Sequence, residues 1–204
     1  MAVRDRLPSS APYRHKGRIF PEPVTQNTKR FVRCFWALDK TLAYARHYAA
    51  INWTQSYSEY VNDLSRWYQQ HLGEDFLRWR AVLVALLAKE AKLMEIVKLI
   101  GADVLPEDQK LVMEIAKVIR VGFLQQNAFH KVDTYVGLEK QKRMMGVIVR
   151  LYERSKAAIL RGKPVSQLLA TGVFDQVIKM KYDIGNQDWE RFDDYLKCID
   201  EKIQ

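Results

Sequence analysis

The amino-acid sequence predicts an all-α fold, a helical bundle built around one long helical hairpin. Three observations point there. Apolar residues recur at helical spacing through most of the chain, Gly and Pro fall at the ends of those runs, and no stretch of strict alternation is long enough to read as a strand. With 204 residues, 48% of them hydrophobic, the chain can bury a real core as one domain with a small appendage.

Residues 1–23 contain four of the six prolines (Pro8, Pro12, Pro21 and Pro23) together with serine, glycine and arginine, and show no period. They are expected to be extended or disordered. Thr28 caps a predicted helix to Arg46, with Phe31, Phe35, Leu38, Leu42 and Ala45 on one face. After an apolar connection from Tyr48 to Trp53, a second helix is expected over Ser56 to His71, with Tyr57, Tyr60, Val61, Leu64 and Tyr68 as its buried stripe and Gly73 as its stop.

The hairpin occupies residues 74–124. Phe76, Trp79, Leu83, Leu86, Leu93, Val97 and Ile100 recur at helical spacing before Gly101, and Leu111, Ile115, Val118, Ile119 and Phe123 do so after it. Gly101 supplies a stop. Pro106 with Glu107 and Asp108 supplies a start, because the first helical turn has no use for the missing N–H and favours acids at its positive dipole end. The connection reads as an acidic, solvent-facing tip.

Beyond Phe129 a loop leads through Gly137 to a long helix over Leu138 to Leu160, with Met144, Met145, Ile148, Leu151, Tyr152 and Ile159 inward and Gly162 and Pro164 as its stop. A short segment, Val165–Ala170, precedes a helix around Phe174–Met180. In the last helix Trp189, Phe192, Leu196, Ile199 and Ile203 form a narrow seam suited to packing on another helix.

Composition excludes several classes. Cys34 and Cys198 are far apart and in no metal or redox spacing, and the four histidines form no cluster, so reduced thiols in a cytoplasmic protein and no metal site are expected. The longest apolar run, Ala81–Ala88, is far too short to cross a bilayer, and no apolar stretch follows the early arginines to make a signal peptide. The net charge of +9 is concentrated at one end: residues 1–33 hold eight basic and two acidic side chains, leaving +6 there and +3 on all the rest. A groove that tracks phosphates would spread that charge over the folded surface, so a nucleic-acid partner is not expected.

Catalytic constellations are missing. Arg161-Gly-Lys-Pro164 lacks the first glycine and the hydroxyl of a phosphate-cradling loop, there is no Gly-x-Ser-x-Gly elbow, and Asp193 and Asp194 sit side by side where they would not converge on one atom. The rings of Trp36, Tyr44, Tyr48, Trp53, Tyr57, Trp67 and Trp79 could stack on bases, but at helical spacing such rings are expected in the core.

Six segments in order carry a specific resemblance: Glu22-Pro-Val-Thr-Gln-Asn-Thr28, Phe35-Trp-Ala-Leu-Asp39, Arg46-His-Tyr48, Ala50-Ile-Asn-Trp53, Ser56-Tyr-Ser58 and Phe123-Leu-Gln-Gln-Asn-Ala-Phe129. From about Pro21 to Gln204 the chain resembles the C-terminal part of the catalytic A subunit of archaeal and vacuolar-type rotary ATPases, without that subunit's P-loop domain. The resemblance implies that residues 24–53 are the end of the nucleotide-binding domain and residues 54–204 the C-terminal helical bundle. It implies that Tyr48 is the ring that packs on adenine, and that Gln126, Asn127, Ala128 and Phe129 form the other wall of the pocket for ATP or ADP. At Gly101, Asp103, Leu105, Glu107 and Lys110 the tip matches an acidic lever pattern of the related F-type beta subunit, which implies rotor contact through Asp103, Leu105, Glu107 and Asp108.

The implied function is ATP-coupled proton or sodium transport at the cytoplasmic face of the membrane, without insertion into it. The implied partners are central-stalk subunits and a B-type subunit. The chain alone is expected to be inactive. Two departures stand out. Ala49 replaces the family's proline after the adenine-facing ring, which loosens the turn. Residues before Pro21 lack the family's Ser-Pro-x-Gly-Gly-Asp-Phe stretch; codons for residues 5–17, read one frame over, permit Pro-Ser-Thr-Val-Ile-Gly-Ala-Val-Ser-Pro-Gln-Gly, so an out-of-frame start is expected. The alternatives are a self-standing helical interaction module using the Trp189–Ile203 seam and a nucleic-acid binder using the basic N-terminus.

Overall fold

The computed structural model describes residue 27, residues 31–101 and residues 104–203. The expected extended segment 1–23, the Thr28 cap and Asp103 lie outside the described residues.

The first described part is an arm held together by backbone pairing, where a single helix to Arg46 was expected. Strand β1 (Cys34–Phe35) runs antiparallel to β2 (Tyr57–Ser58), with Cys34 opposite Ser58 and Phe35 opposite Tyr57. The pairing continues as backbone bonds from Glu59 N to Arg33 O (2.8 Å), Asn52 N to Ala37 O (2.7 Å) and Asp39 N to Ala50 O (2.9 Å). Helix α1 spans only Lys40–Tyr44, because the Asp39 carboxylate accepts from the Thr41 and Leu42 amides and so fixes the helix start there. Arg46, at φ 56°, turns the chain out of it. Phe31 and Leu38, expected on a buried stripe, are exposed.

The expected helix over residues 56–71 is likewise divided, into β2, α2 (Tyr60–Asp63) and α3 (Ser65–Leu72). The Ser56 hydroxyl accepts from the Ala37 amide at 3.0 Å and donates to the Asn52 carbonyl at 2.5 Å, which holds that residue in the arm. Tyr60 and Leu64 are exposed as a result, and so are Trp36, Tyr44, Tyr48 and Trp67. Trp53 and Trp79 do pack against the core. A thin two-stranded arm has too little volume to cover more rings.

The remaining helices follow the sequence reading closely: α4 (Asp75–Ile100), α5 (Glu107–Val118), a π-helix (Ile119–Leu124), α6 (Leu138–Leu160), α7 (Val165–Ala170), α8 (Val173–Asp183) and α9 (Glu190–Lys202). Gly73 (φ 79°) and Gly101 (φ 88°) end α3 and α4 in backbone conformations that other residues rarely adopt. Helix α6 is the hub and packs against α4, α5, α8 and α9. Its Met144, Ile148 and Leu151 meet Leu83 and Leu86 from α4, Ile115 from α5, Val177 and Met180 from α8 and Ile199 from α9 in one buried cluster. Each such side chain contributes roughly 1.5–3 kcal/mol on burial. Phe192, Ile199 and Ile203 are buried in that cluster, so the C-terminal seam is filled by this chain's own bundle and is not open to a partner. Among the described residues no helix is long and apolar enough to cross a membrane.

Helix α9 is also tied to α6 by charge. Asp200 accepts from Arg150 (2.9 and 2.7 Å) and Arg154 (2.7 Å), and these two hydrogen-bonded guanidinium groups hold its carboxyl down at about 2. Because the folded value lies below the unfolded one, this stabilisation is present above the ordinary carboxylate range and is lost as pH falls through about 2. The groups are partly exposed, so the contribution is expected to be about 1 kcal/mol. Asp200→Asn should lower the melting temperature by a few degrees near neutral pH, with the gap to wild type closing as the pH is lowered. A gap independent of pH in thermal melts would contradict this.

Candidate functional site

The arm is hydrogen-bonded to the bundle through two consecutive residues, with Trp53 packed on the core as well. His47 is buried, and its Nε2 donates to the Arg120 carbonyl at 3.1 Å, since a carbonyl can only accept. Its ring lies 5.7 Å from that of Trp53. The next residue, Tyr48, is 65% exposed, and its carbonyl accepts the Gln126 amide at 2.9 Å. Arg120 lies in the π-helix and Gln126 two residues past its end. A π-turn bonds i to i+5, here Gln125 N to Arg120 O at 2.9 Å.

Residues 125–134 then fold into a loop closed by its own polar groups. The Asn127 amide donates to Asp133 Oδ2 (2.7 Å), the Phe129 amide to Asn127 Oδ1 (3.0 Å), and the Thr134 hydroxyl to the carbonyls of Ala128 (2.9 Å) and His130 (2.6 Å). Gln126, Asn127 and Ala128 are exposed, and the Phe129 ring is 98% exposed. Tyr48 and the 126–129 segment are therefore brought together by backbone, at the Tyr48–Gln126 bond. They present two solvent-exposed rings and two side-chain amides, groups of the kind that wall a flat polar heterocycle.

Sequence reading missed the supports beneath this wall. Arg120 forms an ion pair with Glu90, a buried carboxylate in the middle of α4, so the π-helix is fastened to the long rod. Burial pushes the Arg120 guanidinium below its usual range. On the other side, Lys181 of α8 donates to the carbonyls of Val121 (2.7 Å) and Gln125 (2.6 Å) and lies 3.9 Å from Asp133. Lys140 of α6 donates to the carbonyls of Lys181 (3.0 Å) and Ile184 (2.6 Å) at the end of α8. Burial pushes both ammonium groups below the ordinary lysine range, and the Asp133 carboxylate opposes that shift. One signal could have found them: Lys140 lies one helical turn before Met144 and Lys181 one turn after Val177, both on inward stripes.

At the hairpin tip Leu105, expected to face outward, is 5% exposed and turns inward. Glu107 accepts from Lys110 (3.0 Å) and from the Val165 amide (2.6 Å) at the start of α7, and these bonds hold its carboxyl below the usual range, the Val165 bond most. Asp108 is exposed, and so are the apolar Leu99 and Val104. Two clefts elsewhere in the bundle, of about 410 and 520 Å³, are lined by other residues; Asp108 borders the first.

A bundle hub carrying a long helical rod pair, with a docked arm at the base of the rods, is a helical hairpin domain. Residues 65–169 match the family model described as the C-terminal domain of V and A type ATP synthase, and the chain belongs to that family. It is 51% identical over 185 residues to a V-type ATP synthase alpha chain of Halothermothrix orenii, a match covering 91% of this chain and 31% of that one. It is 49% identical over 187 residues to a V-type ATP synthase alpha chain 2 of Clostridium tetani (92% and 31%). It is 45% identical over 188 residues to the A subunit of an A-type ATP synthase of Methanopyrus kandleri (92% and 32%). The chain thus spans about a third of the length of the curated relatives it matches.

The π-helix leaves little room against α8: a Cβ at Gly122 would lie 3.1 Å from the Ile178 Cα. Gly122→Ala should therefore destabilise by roughly 1–3 kcal/mol. Gly137→Ala, where a Cβ meets nothing within 4 Å, serves as the control. Equal urea midpoints for the two variants would contradict close packing at the π-helix.

Proposed function

We propose that this chain supplies the adenine-contacting residues and the rotor-facing lever of the catalytic A subunit of a rotary V/A-type ATP synthase. The observation that carries the reading is the Gln126 amide on the Tyr48 carbonyl, which joins the two segments assigned to adenine at the base of the hairpin. Tyr48 and Phe129 would cover the faces of the base, with Gln126, Asn127 and Ala128 at its edge. Phosphate and Mg²⁺ chemistry would come from residues outside this chain, so the chain alone would not hydrolyse ATP.

Nucleotide-driven movement of the wall would pass through the π-helix into α5, and through the Arg120–Glu90 pair into α4. From Glu90 to Ile100 α4 runs on for ten residues, about 15 Å, which carries a small rotation at the pair to a displacement at the tip. The exposed Leu99, Val104 and Asp108 would meet the central stalk there, as the resemblance implies for Asp103, while the buried Leu105 and the bonds of Glu107 to Lys110 and Val165 hold the tip's shape. A B-type subunit would be the neighbour across the nucleotide site, and the assembly would sit at the cytoplasmic face of a membrane whose own subunits select protons or sodium ions.

A lever that pushes by contact is sensitive to its length more than to its charges. In the full-length subunit, deleting residues 102–108 should abolish coupled ion pumping while ATP hydrolysis continues, and alanine at Asp103, Glu107 and Asp108 together should retain most of the coupling. Equal loss of pumping in the two would contradict the lever.

A further inference from the structure

The Lys181 ammonium is 2% exposed and has no substrate-facing side. Its neighbours are the Val121 and Gln125 carbonyls, the Asp133 carboxylate and the Tyr182 ring, 4.8 Å beneath it. A methionine would fill the same space without removing a charge from water, and buried ion pairs seldom contribute more to stability than such a replacement. What the ammonium adds is direction. Its two short bonds bracket the last turn of the π-helix, so the Gln125 carbonyl cannot rotate without breaking one of them. The peptide that carries this carbonyl also carries the Gln126 amide, the donor to Tyr48. The same ammonium faces Asp133, whose Oδ2 holds the Asn127 amide. Lys181 is itself set in place, because Lys140, fully buried, takes its backbone carbonyl and that of Ile184.

We propose that Lys181 is a positioning residue for the adenine wall: by gripping the end of the π-helix and facing Asp133, it fixes the peptide that joins Tyr48 to the 126–129 loop. The proposal rests on the reading of that loop as the adenine wall. It makes Lys181, which touches no part of the base, a determinant of base selectivity, and it links α8 and α6 to the site.

The test uses the 204-residue chain in three forms: wild type, Lys181→Met, and Lys181→Met with Asp133→Asn, which removes both charges and so avoids leaving an unpaired buried carboxylate. Amide hydrogen exchange is measured by NMR at Gln126, Asn127 and Phe129 and compared with Leu151 in the hub helix. Binding of adenosine and of guanosine is titrated in parallel. In both variants exchange at Gln126 and Asn127 should rise about tenfold or more relative to Leu151, and the preference for adenosine over guanosine should fall toward parity. A purely structural role would speed all amides together and leave the base preference unchanged, and that result overturns the proposal. So does a double variant whose loop amides keep their wild-type rates. A wild-type chain that binds both nucleosides equally would remove the adenine reading, while exchange at Gln126 would still decide whether Lys181 fixes the loop.

Discussion

The junction between arm and bundle rests on two neighbouring residues that do different jobs. His47 is buried and spends its ring N–H on the Arg120 carbonyl; Tyr48 points its ring to solvent and offers only its carbonyl, to Gln126. This pair of bonds and the packing of Trp53 on the core hold the arm, a two-stranded strip with several exposed rings that would be marginal in water by itself. With them, the ring of residue 48 and the loop after the π-helix share a frame of reference. Everything proposed about base recognition follows from that shared frame.

The π-helix is the piece that makes the junction mechanical. Its carbonyls at 120 and 121, and that of Gln125 just past its end, accept side-chain N–H groups from His47 on one side and Lys181 on the other, and the Arg120 side chain reaches Glu90 on the long rod. Irregular helical turns often occur at functional sites because their displaced carbonyls can serve such contacts. Here they gather three elements, α4, α8 and the arm, onto six residues. The cost is the desolvation of several charges, visible in the lowered values of Arg120, Lys140 and Lys181. The hub α6 and its apolar contacts supply the stability that offsets it.

The rods and the hub were legible because their signals are local. Gly101, Pro106 and the acids after it punctuate α4 and α5, and Gly137 with Gly162 and Pro164 bounds α6, so periodicity between those marks could be read directly. The arm was not, because its two strands pair residues 22 and 24 apart and because Asp39, a strong cap, starts a short helix where periodicity predicts a longer one. The tip was half legible: the turn is there, yet the inward turn of Leu105 and the tie from Glu107 to Val165, 58 residues on, are long-range contacts that periodicity does not reveal. Tyr48 and residues 126–129 came to notice through resemblance, not spacing. Of their supports, Glu90 and Asp133 look in sequence like ordinary solvated charges, while Lys140 and Lys181 are marked only by their place on apolar stripes.

The central claim is that one bound base touches the arm and the post-π loop at the same time. Its most direct measurement is magnetisation transfer by NMR between the adenine protons of bound adenosine and the ring protons of this chain. The account predicts transfer to both the Tyr48 and Phe129 rings within a single saturable complex. Transfer to only one of them, or to neither while adenosine is bound, would contradict it.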